Sequence, residues 1–186
     1  MRGSVSDASL SKAKQALARG DTQAADQLLL KFVEDIKRRR TAEDNKLAQA
    51  YYQRGELAAL RVDYEQAYGH YAEAVRTQAD NPIYLLAAGE LARILGRYEQ
   101  AKIWLEQAVE LLTQQTPDSL EWANAANSLG HLYHATADYA KAEFLYLRAL
   151  KITEKALGKD HPAVATTLNN LASLYEAQGE YAKAER

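Results

Sequence analysis

Arg97-Tyr98-Glu99-Gln100-Ala101 stands 34 residues after Asp63-Tyr64-Glu65-Gln66-Ala67, and this echo decides the fold. The same signature returns as Asp138-Tyr139-Ala140-Lys141-Ala142, 41 residues on, and as Glu180-Tyr181-Ala182-Lys183-Ala184, a further 42 on. Working outward, a second small residue lies 12 positions before each closing alanine: Gly55, Gly89, Gly130 and Ala172. A third lies 7 positions after the first three: Ala74, Ala108 and Ala149. A fixed period of this length marks a repeat of one supersecondary unit. Small residues recurring at fixed places let two helices approach closely, with bulky side chains interdigitating on either side.

The rest of the chain agrees with helix. Alanine, leucine, glutamate, lysine and glutamine favour it, and 3 prolines with 9 glycines leave little material for sheet turns. The class is therefore all-α. The breaks Arg61-Val62-Asp63, Gly96-Arg97, Thr136-Ala137-Asp138 and Gln178-Gly179-Glu180 are short enough to demand antiparallel pairs. Asn81-Pro82, Thr116-Pro117 and His161-Pro162 each predict a helix start with proline at the first position. Asn81 and Thr116 offer side-chain caps there. Thr41-Ala42-Glu43-Asp44 predicts a looser start. Ahead of it, Ala13 to Arg40 reads as a degenerate hairpin turning at Gly20-Asp21 with Ala25 as its small residue. That hairpin departs from the pattern at Lys12 and Phe32, as terminal repeats do.

Composition excludes several functions. The 23 basic and 25 acidic residues give a net charge of −2, without the basic excess of a general nucleic-acid binder. Lys37-Arg38-Arg39-Arg40 is the one notable charge run, read as the cationic end of a helix. No apolar run is long enough to span a bilayer, and no secretory leader pattern opens the chain. With 0 cysteines there is no thiolate ligand or nucleophile, a composition that suits the reducing cytoplasm. Neither a phosphate-cradling glycine loop nor a serine nucleophile elbow occurs. His131 and His134 stand one turn apart, but no evident third ligand joins them for a metal. The expectation is a non-enzyme without cofactor or metal.

Gly89, Ala92, Gly96, Tyr98, Ala101, Leu105 and Ala108 together resemble the tetratricopeptide repeat. Ala156-Leu157-Gly158-Lys159-Asp160-His161-Pro162, followed by Leu168-Asn169-Asn170-Leu171-Ala172 and Leu174-Tyr175, is similar to the 42-residue variant of kinesin light chains. The likeness covers about residues 42–186 strongly and 7–40 weakly. It implies a right-handed α-solenoid of antiparallel helix hairpins, about four such repeats behind the degenerate first one. The hairpins fall at about 7–40, 42–79, 82–113, 117–157 and 162–186, the last incomplete, in one domain from 7 to 186. Residues 1–6, opening Met1-Arg2-Gly3-Ser4, resemble a vector leader and stand outside it. Kinesin light chains resemble coiled coils upstream, whereas no sustained heptad appears here. Gln15 to Gln107 looks more like repeat regions attached to bacterial signalling or effector modules.

The resemblance further implies that the first helices of successive hairpins line a concave groove for a peptide or helical segment. Mapped onto this sequence, the groove presents Tyr52, Gln53, Glu56 and Leu60. Ile83, Leu86, Glu90, Arg93 and Ile94 follow, then Asn127, Ser128, His131 and His134. Asn169, Asn170, Ser173 and Glu176 complete it. An amide both donates and accepts, so Asn127 and Asn169, at matched positions, could clamp a peptide backbone; alternatively they solvate a helix face. Ile83 and Ile94 either anchor a ligand or pack on neighbouring helices. The family's co-chaperones grip a terminal carboxylate at positions that here hold Tyr52, Glu56, Leu86 and Glu90, and two carboxylates repel such a ligand. The expected function is a scaffold or adaptor for a protein or peptide partner. Alternatives are self-association, with the incomplete end at Leu168, Leu171, Leu174 and Tyr175 covered by another molecule, or the sensor portion of a larger signalling protein.

Overall fold

A computed structural model describes residues 11–184 apart from Lys14 and Leu17. The leader reading of residues 1–6 lies outside the described residues. The described chain is helical throughout, with helices α1 (Thr22–Leu60), α2 (Tyr64–Thr77), α3 (Pro82–Ile94) and α4 (Tyr98–Gln115). They are followed by α5 (Leu120–Ala135), α6 (Tyr139–Leu157), α7 (Pro162–Ala177) and the single turn α8 (Tyr181–Ala184). By compactness it divides into two units, Met1–Gln49 and Ala50–Arg186.

In the first unit, Gly20 turns with φ +77°, and the Asp21 carboxylate accepts from the Ala24 amide at 3.0 Å. Ala13 and Ala25 are buried. The helix start expected at Thr41 is not there. Helix α1 runs unbroken through Arg40-Thr41, because residues 22–54 hold neither glycine nor proline to stop it. The basic run is braced within the helix by Asp35–Arg39 at 2.9 Å and Arg40–Asp44 at 3.8 Å. Thr41 bonds back to the Lys37 carbonyl at 2.9 Å, the behaviour of a mid-helix threonine and not of a cap.

In the second unit the hairpins pair α3 with α4 and α5 with α6, and successive hairpins stack. Each turn between the two helices of one hairpin is built alike. Val62, Gly96, Ala137 and Gly179 have φ of +61°, +72°, +61° and +76°. The amide one residue further bonds five back, as in Arg97 to Ala92 O (2.8 Å) and Asp138 to Tyr133 O (2.8 Å). This is a Schellman cap, whose turning residue must be left-handed. Two of the four sites carry glycine; Val62 and Ala137 adopt the conformation at a steric cost.

Close approach occurs where the spacing placed small residues. A Cβ added at Gly89 would lie 2.7 Å from Leu105 Cγ, and one at Gly130 would lie 2.5 Å from Tyr146 Cε1. Around these crossings lies a core containing Leu105, Trp122, Leu132, Tyr146 and Leu174. The Trp122 indole N–H donates to Thr113 at 2.8 Å, and Arg148 covers the ring at 3.9 Å.

Two of the three expected proline starts hold. Asn81 accepts from the Ile83 amide at 3.0 Å, and the His161 ring nitrogen accepts from Ala163 at 3.1 Å. The third does not: Thr116 closes α4, and α5 begins at Leu120. Ser119 wins the cap because its hydroxyl accepts from Trp122 at 3.1 Å. Pro117 stays in the loop, its carbonyl held by Arg148 at 2.9 Å.

Candidate groove on the first helices

The first helix of each hairpin after residue 50 contributes to one side of the unit. Tyr52 projects from the last turns of α1 and meets Tyr71 at 5.5 Å and Tyr84 at 5.2 Å between ring centroids. It also borders a cavity of about 420 Å³ with Ile83, Leu86 and Glu90 of α3, Leu112 of α4, and Glu121 and Asn124 of α5. Gln53, Glu56 and Leu60 line an adjoining, wider depression with Tyr71. The Tyr52 phenol is held above its ordinary pKa, first by burial and then by Glu56 and Glu90. Burial pushes the Tyr71 phenol up to about 12.

Further along, the surface becomes polar. Arg93 is half-buried, and its Nε is enclosed without a hydrogen-bond partner. His131 stands edge-on to Tyr146 at 5.8 Å, and His134 lies 5.9 Å from Tyr139. Burial lowers the His131 pKa below 6.5, with Arg93 and His134 adding repulsion. Its imidazole is therefore neutral at physiological pH.

Several mapped residues sit elsewhere than the open face. Ser128 is buried, and its hydroxyl donates to the Glu90 carboxylate, tying α5 to α3. Asn127 is half-buried, and its amide N–H donates to Thr167 Oγ1 of α7 at 3.1 Å. The amide oxygen is enclosed without a partner. Asn169, at the matched position, lines a different cavity with Leu168, Leu171 and Tyr175. Asn127 thus faces the neighbouring hairpin, whereas Asn169 is exposed. Asn170 is half-buried, and Ser173 and Glu176 are exposed on α7. Ile83 and Ile94 are exposed by 58% and 54%.

Among the polar residues of the site, Glu121, Asn124 and Thr167 were not singled out from the sequence. A signal existed for two of them. Glu121, Asn124, Ser128 and His131 fall at steps of three, four and three, one stripe of a helix.

Stacked antiparallel hairpins with a continuous surface on their first helices define a helical-repeat interaction scaffold. A sequence model of the tetratricopeptide repeat matches residues 80–155 and 123–186, more than half of the chain, and the chain belongs to that family. Repeats of this family generally serve as non-enzymatic scaffolds. No curated protein matches. Among solved structures it is similar to BtubC (BKLC) of P. vanneervenii, with 22% identity over 97% of this chain and 84% of that one, TM-score 0.69. It also resembles a putative kinesin light chain of Podospora anserina with nearly identical repeats (20%, 96% and 89%, TM-score 0.58). A third likeness is the first repeat domain of Spaghetti bound to an HSP90 peptide (16%, 73% and 95%, TM-score 0.59). At these identities the likeness is one of fold. Among the described residues, no helix is long and apolar enough to cross a membrane.

Proposed function

We propose that the first-helix face of residues 50–186 binds an extended or helical segment of a protein partner, acting as an adaptor in the cytoplasm. The observation that carries this reading is the cavity shared by α1, α3, α4 and α5, where Tyr52, Ile83 and Leu86 leave apolar surface open beside Glu90 and Asn124. A concave apolar site with a few convergent polar groups is where a ligand gains most from desolvation. The enclosed Arg93 Nε and Asn127 Oδ1, neither with a partner, add polar demand along the same surface.

The test compares two isoleucines of equal exposure, Ile83 in the cavity and Ile103 on α4, at 58% and 57%. Peptides selected from a random display library on the folded chain should bind Ile83→Asn at least about fivefold more weakly. They should bind Ile103→Asn as they bind the unaltered chain. Equal binding to all three contradicts the reading.

A second reading is self-association through the far end. Leu147 and Leu168 are 47% and 43% exposed and border a cavity with Leu150, Leu171 and Tyr175. A second copy covering that face would make sedimentation velocity concentration-dependent, and Leu168→Asp would restore a monomer. A monomer at every concentration excludes it.

A further inference from the structure

Resting on the groove reading, the cavity between α1, α3 and α5 also carries information about the partner's chemistry. Its lining combines the apolar side chains of Tyr52, Ile83, Leu86 and Leu112 with the carboxylates of Glu90 and Glu121. Among the described residues, no lysine, arginine or histidine lines it or the depression beside Tyr71, where Glu56 adds a third carboxylate. None of the three carboxylates joins an ion pair among the described residues. Among the described residues, the Ser128 hydroxyl is the one hydrogen-bond donor to the Glu90 carboxylate.

We infer that this cavity receives a lysine or arginine side chain of the bound segment, its aliphatic stem against Tyr52 and Leu86 and its cationic tip at Glu90 and Glu121. Long basic side chains bury an apolar stem while keeping the charge at a polar edge, and this cavity has that division. The alternatives fare worse. A purely apolar anchor would strip water from two carboxylates and give them nothing in return. An acidic segment would meet like charge at three residues. The Tyr52 ring offers a further attraction to a cation, and the upward pull of Glu56 and Glu90 on its phenol reports the same negative field.

The experiment uses peptides selected on the folded chain, with binding read by fluorescence anisotropy. The selected sequences should be enriched in lysine or arginine next to an apolar residue. Replacing that lysine by norleucine should weaken binding about tenfold, and added salt should weaken the parent peptide but not the norleucine one. Glu90→Gln with Glu121→Gln should weaken the parent peptide similarly and leave the norleucine peptide unchanged. Glu121 is exposed, so Glu121→Gln alone tests the edge charge without disturbing the Ser128–Glu90 bond. Peptides that bind at the cavity, as judged by Ile83→Asn, but lack basic residues or tolerate norleucine overturn this inference and leave the groove reading intact. Peptides indifferent to Ile83→Asn overturn both.

Discussion

Gly130 and Tyr146 are in mutual contact at the crossing of α5 and α6: a methyl group on Gly130 would sit 2.5 Å from Tyr146 Cε1. Tyr146 is fully buried, so its ring has no open space to retreat into. Two opposed effects follow from Gly130→Ala. Alanine is the better helix former by about 1 kcal/mol, while overpacking a filled core costs about 1–3 kcal/mol. The 2.5 Å approach puts the steric term at the upper end of its range, and denaturant unfolding should show a net loss of up to about 2 kcal/mol. A stabilised variant would mean that the helices can separate freely there.

At the turns the sign reverses. Ala137 holds φ +61°, where an L-residue is strained by about 1–2 kcal/mol. Glycine removes that strain at the expense of a freer unfolded chain, so Ala137→Gly should raise stability by about 0.5–1 kcal/mol. Val62, equally left-handed and β-branched, should gain more from the same change. It is 68% exposed, so little packing is lost. Unfolding midpoints measured on the two variants check both values.

Asn127 and Thr167 link two successive first helices through one 3.1 Å bond. A double-mutant cycle on Asn127→Ala and Thr167→Val should give a coupling of about 0.5–1.5 kcal/mol. Zero coupling would show that the asparagine is not engaged with α7.

His131 makes stability depend on pH. Its folded pKa lies below 6.5, so the folded chain binds fewer protons than the unfolded one just below that value. Stability is then full above 6.5, falls as the pH drops toward the lowered value, and levels off at a reduced value below it. Thermal melts of the unaltered chain and His131→Gln should coincide in shape above 6.5 and diverge below, the variant showing the flatter profile.

The repeat was legible because helix approach leaves a mark in one dimension. Small residues must fall where helices touch, so Gly55, Gly89 and Gly130 disclosed the hairpins and their order. Asn81-Pro82 and His161-Pro162 disclosed two starts, since a cap is a local event. The start of α5 was misplaced because two cap candidates lay three residues apart, and only the indole of Trp122 entering the core fixes Ser119. The unbroken passage through Arg40-Thr41 was masked by charge: a basic run suits a helix end, yet Asp35 and Asp44 neutralise it in mid-helix. The surface was less legible than the fold. A repeat position says which residues correspond, but not whether they face solvent or the next hairpin. Asn127 and Asn169 correspond, yet Asn127 bonds to the next hairpin and Asn169 is exposed, while Asn124, one turn before Ser128, reaches the cavity.

The central claim is that the first-helix face takes the partner segment. It is tested most directly by mapping backbone amide shifts on titration with a peptide selected on the folded chain. The account predicts the largest changes at about residues 52–60, 83–94 and 121–134. Changes confined to residues 98–115 and 139–157, on the second helices, would contradict it.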